Sequence, residues 1–199
     1  MTAYFSVDVE TTGLNPFVRT NRLASVGAVA FDETGLILDT WYEPIRFTNS
    51  WDEDTLRWWE QQNPIARQHM GIGDDTAVVI SRTAPGEAAR LFVEWVQQWD
   101  EHCVFVANPA TFDHAWVLRW LTEQKWDMPF DYRTLCLRSA DWALDLAGRP
   151  WGGERNGTRP QIPHHALHDA QAQGIDMLGL FERRRQFIRN WPNQAESRA

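Results

Sequence analysis

Tyr4-Phe5-Ser6-Val7-Asp8-Val9-Glu10-Thr11-Thr12-Gly13 alternates apolar and polar residues and ends in two carboxylates and a glycine. A period of two marks a strand, and alternation puts Asp8 and Glu10 on the same side, near its C-terminal end. Two carboxylates in one small volume repel each other unless a cation neutralises them. Oxygen ligands at this density suit Mg²⁺ or Mn²⁺ far better than zinc. Taken alone, the pair is more simply a solvated surface feature, so the rest of the chain has to decide.

Downstream, residues Arg22 to Asp32 and Ile37 to Pro44 also read as strands, joined by a turn at Glu33-Thr34-Gly35, so the chain opens with a β-meander. Helices are expected over Asp52 to Gln62, with Ser50 and Glu53 at capping-box spacing, and around Ile65 to Met70. Pro85 fits the first turn of a helix carrying Leu91, Phe92, Trp95, Val96 and Trp99 at helical spacing. A short buried strand at Val104 to Ala107 and a helix from Phe112 to Gln124 follow. The next helix is expected over Thr134 to Leu146, closed by Gly148. Arg149 to Pro163 reads as a long loop, and such loops in compact domains are often functional. The last helix is expected from about His164 to Arg189, with Pro192 ending it.

These elements define an α/β chain. Its 199 residues fit one domain over 1–189, with 190–199 as a frayed tail. The net charge of −8 argues against coating nucleic acid by bulk electrostatics. A local, metal-screened contact stays open, because two divalent cations would halve that charge. Only two cysteines occur, Cys103 and Cys136, without C-x-x-C spacing, so neither a disulfide framework nor a cysteine zinc site is suggested, and a reducing cytoplasm fits. Ser6, Asp8 and Glu10 interrupt the N-terminal apolar residues, and no run reaches membrane-spanning length. The expectation is a cytoplasmic protein with no membrane partner.

Two more clusters carry chemistry. Asp113 ends Asn108-Pro109-Ala110-Thr111-Phe112-Asp113, at a junction between strand and helix, where a carboxylate read by itself is more often an N-cap. His164-His165-Ala166-Leu167-His168-Asp169-Ala170 opens the last helix, and helical spacing would bring His164 near Asp169. The same spacing allows a zinc half-site from His164 and His168, or simply a solvated helix end.

Asp-Val-Glu-Thr-Thr-Gly, the Asn-to-Phe-Asp segment and H-x-A-x-x-D-A, in that order over roughly Tyr4 to Leu178, resemble the DEDDh exonucleases. That group includes RNase T, oligoribonuclease and polymerase proofreading subunits. The resemblance implies an RNase H-like fold, with a five-stranded mixed sheet flanked by helices. It also implies 3′→5′ exonuclease activity on the 3′ end of single-stranded RNA or DNA, releasing nucleoside 5′-monophosphates. Asp8, Glu10, Asp113 and Asp169 would hold two Mg²⁺ or Mn²⁺ ions, with His164 as general base. Thr55 to Gln62 and the spacing of Asn108 from Asp113 are similar to the branch containing polyadenylate-specific exoribonuclease AS. The Asp-Val-Glu-Thr-Thr-Gly opening departs from that branch's Asp-Thr-Glu-Phe form. RNA is favoured over DNA, a DNA proofreading or repair exonuclease is the rival enzyme, and an inactive nucleic-acid-binding module is a third reading. A homodimer is expected from RNase T-like relatives.

Substrate contacts are expected from Thr11, Thr12 and Leu14, which follow the first motif where the family meets the terminal nucleotide. Trp58 and Trp59 lie about 100° apart on a helix, so one can face the cleft while the other packs in the core. Asn108 either orients the loop before Asp113 or makes an Asx turn. Arg133, Arg138, Arg149, Arg155 and Arg159 would lie along a phosphate backbone or form a solvated surface.

Overall fold

The computed structural model describes residues 2–47, 50–72, 81–99, 102–146 and 159–196. Three strands open it: β1 (Ala3–Thr11), β2 (Leu23–Phe31) and β3 (Ile37–Pro44). Two short helices, α1 (Glu53–Trp59) and α2 (Pro64–His69), precede α3 (Pro85–Gln97). Then come β4 (Cys103–Ala107), α4 (Ala110–Glu123), β5 (Thr134–Cys136), α5 (Leu137–Leu146) and α6 (Ala166–Glu196). The five strands form one mixed sheet in the order β3-β2-β1-β4-β5. β1 pairs antiparallel with β2 and β2 with β3, while β4 runs parallel to both β1 and β5.

Alternation along β1 builds two layers of core. Phe5, Val7 and Val9 pack against Phe92 and Val96 of α3 and against Trp116, Val117 and Leu121 of α4. The opposite face carries Tyr4, Ser6, Asp8 and Glu10, and Tyr4 joins Phe31, Met177 and Leu180 beneath α6. Each large apolar side chain removed from water stabilises the fold by roughly 1.5–3 kcal/mol. β2 is buried along its whole length, as a strand covered on both faces must be.

One close approach positions the site. Gly27 is the partner of Asp8 across the β1–β2 ladder. A Cβ on Gly27 would lie 2.2 Å from backbone atoms of Ala166 and Leu167. Only a residue without a side chain lets the start of α6 rest directly on β2, beside the carboxylates of β1.

Four local expectations change. Residues 134–136 form β5 before α5 begins, because a three-residue strand is too short for its alternation to stand out beside apolar Leu135 and Leu137. The cap of α1 is Asp52, whose carboxylate accepts from the Thr55 amide at 2.9 Å, in place of the Ser50 capping box. α6 starts at Ala166 and continues past Pro192 to Glu196. Gly148 lies outside the described residues. Among the described residues no helix is long and apolar enough to cross a membrane.

Candidate active site

β1 delivers Asp8 and Glu10 on the face toward α6. Asp113 arrives from the first turn of α4, is 3% exposed, and accepts the Val9 amide at 3.2 Å. The N-cap role allowed for Asp113 falls to Pro109, without a side-chain bond. Asp113 is therefore free to reach across to β1. Asp169 comes from the first turn of α6. Ligand atoms of Glu10, His164 and Asp169 all lie within 4.8 Å of one another.

His164 is not on the helix with Asp169, as its spacing suggested. It sits two residues before α6 in a left-handed conformation, φ 62°. That conformation is uncommon for a residue with a side chain, and strained backbone of this kind concentrates at functional sites. Leaving the helix also removes the i, i+4 relation to His168. His168 instead stacks on His165 at 4.4 Å, and among the described residues it joins no group of three or more candidate metal ligands. His165 in turn meets the rings of Tyr42 at 4.5 Å and His69 at 4.2 Å, and burial pushes its imidazole down to about 4.

The electrostatics of the four carboxylates are those of a site awaiting positive charge. Burial, then repulsion from Asp113, Glu10 and Asp169, raises Asp8 well above the usual carboxylate range. Burial followed by Asp169 and Asp113 does the same to Glu10. Asp113 is raised by burial to about 7, despite the amide of Val9. Asp169 is raised by burial to about 6, partly offset by the amides of His164 and His165. Among the described residues none of the four forms a salt bridge, so the donor set fits hard divalent cations.

A sixth residue joins them that the motif reading missed. Gln173, one turn beyond Asp169 on α6, donates from Nε2 to Asp8 Oδ1 at 2.6 Å. Its i+4 spacing from Asp169 was the available signal, but glutamine on an exposed helix face carries the same letter.

The remaining candidates separate by burial. Thr11 and Thr12 are buried, with the Thr11 hydroxyl donating to the Gly13 carbonyl and the Thr12 hydroxyl accepting the Arg22 amide, each at 2.8 Å. Leu14 is 75% exposed. Trp59 is core, 2% exposed, with its indole N–H on the Thr11 carbonyl at 3.3 Å. Trp58 is 42% exposed and stands edge-on to His164 with ring centroids 4.7 Å apart. The Asn108 side-chain oxygen is buried without a hydrogen-bond partner, so it makes no Asx turn. Arg133 is paired with Asp131 at 2.6 Å, while Arg149 and Arg155 lie outside the described residues.

A five-stranded mixed sheet flanked by helices agrees with the RNase H-like fold that the motifs implied. Exonuclease I of E. coli in complex with a dT13 oligonucleotide superposes with a TM-score of 0.68 at 13% identity, covering 94% of this chain and 43% of that one. S. pombe Pop2p in its Mg²⁺- and Mn²⁺-bound form gives 0.57 at 13% identity, covering 89% and 82%. At such identities the likeness is one of fold. This chain spans less than half the length of exonuclease I. No curated protein matches the sequence significantly. Residues 3–175 match the family model of the Rv2179c-like 3′-5′ exoribonuclease domain, and the chain belongs to that family. The resemblance to DEDDh exonucleases drawn from the three motifs therefore holds for family and fold.

Proposed function

We propose that this chain is a metal-dependent 3′→5′ exonuclease acting on single-stranded nucleic acid, RNA ahead of DNA, and releasing nucleoside 5′-monophosphates. The observation that carries the proposal is the set Glu10, His164 and Asp169, whose ligand atoms lie within 4.8 Å of one another, with Asp8 and Asp113 electrostatically coupled to it and the carboxyls raised by burial and by one another. Family membership supports the reaction class, and the Mg²⁺ and Mn²⁺ of Pop2p support the cofactor.

Asp8, Glu10, Asp113 and Asp169 would hold two Mg²⁺ or Mn²⁺ ions, which supply activation of a water and charge stabilisation at the scissile phosphate. His164 takes the proton of that water on a ring nitrogen. Burial holds its imidazole below the usual histidine range, so the ring is neutral and able to accept at pH 7. Trp58 against one edge of the ring limits its swing. Attack on phosphorus breaks the bond to the 3′-oxygen of the preceding nucleotide, and the 5′-phosphate leaves with the terminal nucleoside.

Degradation of 5′-labelled poly(A), poly(U), mixed RNA and matched DNA strands, with Mg²⁺ or Mn²⁺ and with chelator, tests the reading. The expected result is a ladder shortening from the 3′ end, faster on RNA, and abolished by chelator. Faster digestion of DNA transfers the chain to the proofreading or repair class. Full activity in excess chelator overturns the metal mechanism, and binding without turnover leaves a nucleic-acid-binding module.

A further inference from the structure

The loop from Gly13 to Arg22, which follows β1 and its carboxylates, contributes to the wall of a pocket of about 320 Å³. Arg19, Arg22, Arg46 and Arg119 line this pocket, with Phe47 and Trp116. Four guanidiniums around one cavity repel one another, and they stand out in a chain of net charge −8. The one acidic residue on the lining, Glu123, is engaged by Arg119 at 2.7 Å. Among the described residues, Arg19, Arg22 and Arg46 meet no carboxylate. Trp116 is 1% exposed, and its indole N–H is a buried donor with no acceptor. Unmatched positive charge along one pocket wall is complementary to an anion rich in oxygen.

The pocket is built rather than incidental. Arg119 donates to the carbonyls of Pro16 and Val18, and Arg22 to those of Arg19 and Asn21, so the loop is tied to its own guanidiniums. The link to the catalytic end is short in two directions. The Thr12 amide, two residues beyond Glu10, donates to the Arg22 carbonyl, and the Thr12 hydroxyl accepts the Arg22 amide. Trp116 lies three residues along α4 from Asp113. One face of Phe47 carries the Arg82 guanidinium at 4.9 Å, adding charge at the apolar wall.

We propose that this pocket binds the phosphodiester backbone of the substrate strand, on the 5′ side of the nucleotide being removed. The inference rests on the proposed nuclease reading. Its physical basis is that two divalent cations would no more than neutralise the four carboxylates, leaving no excess positive charge there to hold the rest of a polyanionic strand. A strand therefore needs a separate basic anchor beside them, and an acidic chain must supply it locally. Arg19 and Arg46 are exposed and carry the contact, while Arg22 and Arg119 also hold the loop.

The test measures binding apart from turnover, in chelator, using a fluorescently labelled single-stranded RNA of about 12 nucleotides, a length that extends past the catalytic end. Arg19→Glu with Arg46→Glu is expected to weaken affinity about 10-fold or more, and to flatten the log-log salt dependence by about one for each lost phosphate contact. Arg19→Gln with Arg46→Gln should give a smaller loss of the same kind, and both pairs should melt as the wild type does. In turnover, KM of the wild type should fall as the substrate lengthens from two nucleotides, and the charge-reversed variant should lose that dependence. Unchanged affinity and salt slope in both variants overturn the pocket even where hydrolysis proceeds. Arginine-dependent binding without any hydrolysis keeps the pocket and overturns the nuclease reading. Inorganic phosphate or AMP that binds through the same arginines without competing with the oligonucleotide makes the pocket a site for a small anion, and the strand assignment fails.

Discussion

Gln173 Nε2 donates to Asp8 Oδ1 at 2.6 Å, which ties the helix that carries Asp169 to the strand that carries Glu10. The bond fixes one oxygen of Asp8. Gln173→Ala is expected to lower activity at limiting Mn²⁺ by roughly 10–100-fold, the usual worth of a residue that orients a metal ligand. Gln173→Glu, which adds a fifth carboxylate, should be worse. The check is a Mn²⁺ titration of turnover, and an unchanged metal dependence in Gln173→Ala would remove the positioning role.

His164 and Asp113 should fail differently. Added Mn²⁺ stabilises a protein that binds it only when folded, so the wild type's melting temperature should rise with concentration. His164→Ala should keep that rise while turnover falls about 10²–10⁴-fold, the usual contribution of a positioned general base. Asp113→Asn should lose turnover and much of the thermal shift. Because His164 lies within ligand reach of Glu10 and Asp169, loss of the shift in His164→Ala would make it a ligand instead.

The metal-free protein should lose stability as pH rises. Unfolded carboxyls titrate near 4, whereas Asp113 is held at about 7 and Asp169 at about 6, mainly by burial. Between those values the folded state binds more protons, so its stability falls as pH climbs from about 4 to about 7. His165, pushed down to about 4, acts in the opposite direction and loses stability as pH falls from about 6.5. Thermal melts in chelator across this range, for the wild type and Asp113→Asn, separate the two. The variant's decline should be shallower, and a wild type that grows more stable toward pH 7 by the same amount as the variant would refute the carboxylate contribution.

Trp58 and Trp59 should divide between binding and stability. Trp59→Ala empties a buried site and is expected to cost about 3–5 kcal/mol in denaturant unfolding. Trp58→Ala should leave stability nearly intact. If Trp58 stacks a terminal base, its loss should weaken substrate binding by about 1–3 kcal/mol with little change in kcat. Equal KM values for Trp58→Ala and wild type would return Trp58 to a wall that merely restrains His164.

By itself the sequence determined the meander, the helix at Pro85, the pairing of Asp8 with Glu10 on one face, and the residue types of the site. Each of these is set by local periodicity or by neighbours a few residues apart. β5 was not legible, because three residues carry too little alternation. His164 was misplaced onto α6, because helical spacing says nothing about a single left-handed residue just before the helix. Tertiary structure alone decided that Gly27 admits the start of α6, that Asp113 turns to Val9 instead of capping α4, and that Gln173 reaches Asp8. It also brought Arg46 and Arg119, distant in sequence, to Arg19 and Arg22 around one pocket. The reason is common to all four: they are contacts between residues far apart in the chain, fixed by how the sheet orders its strands and how closely the helices lie on it.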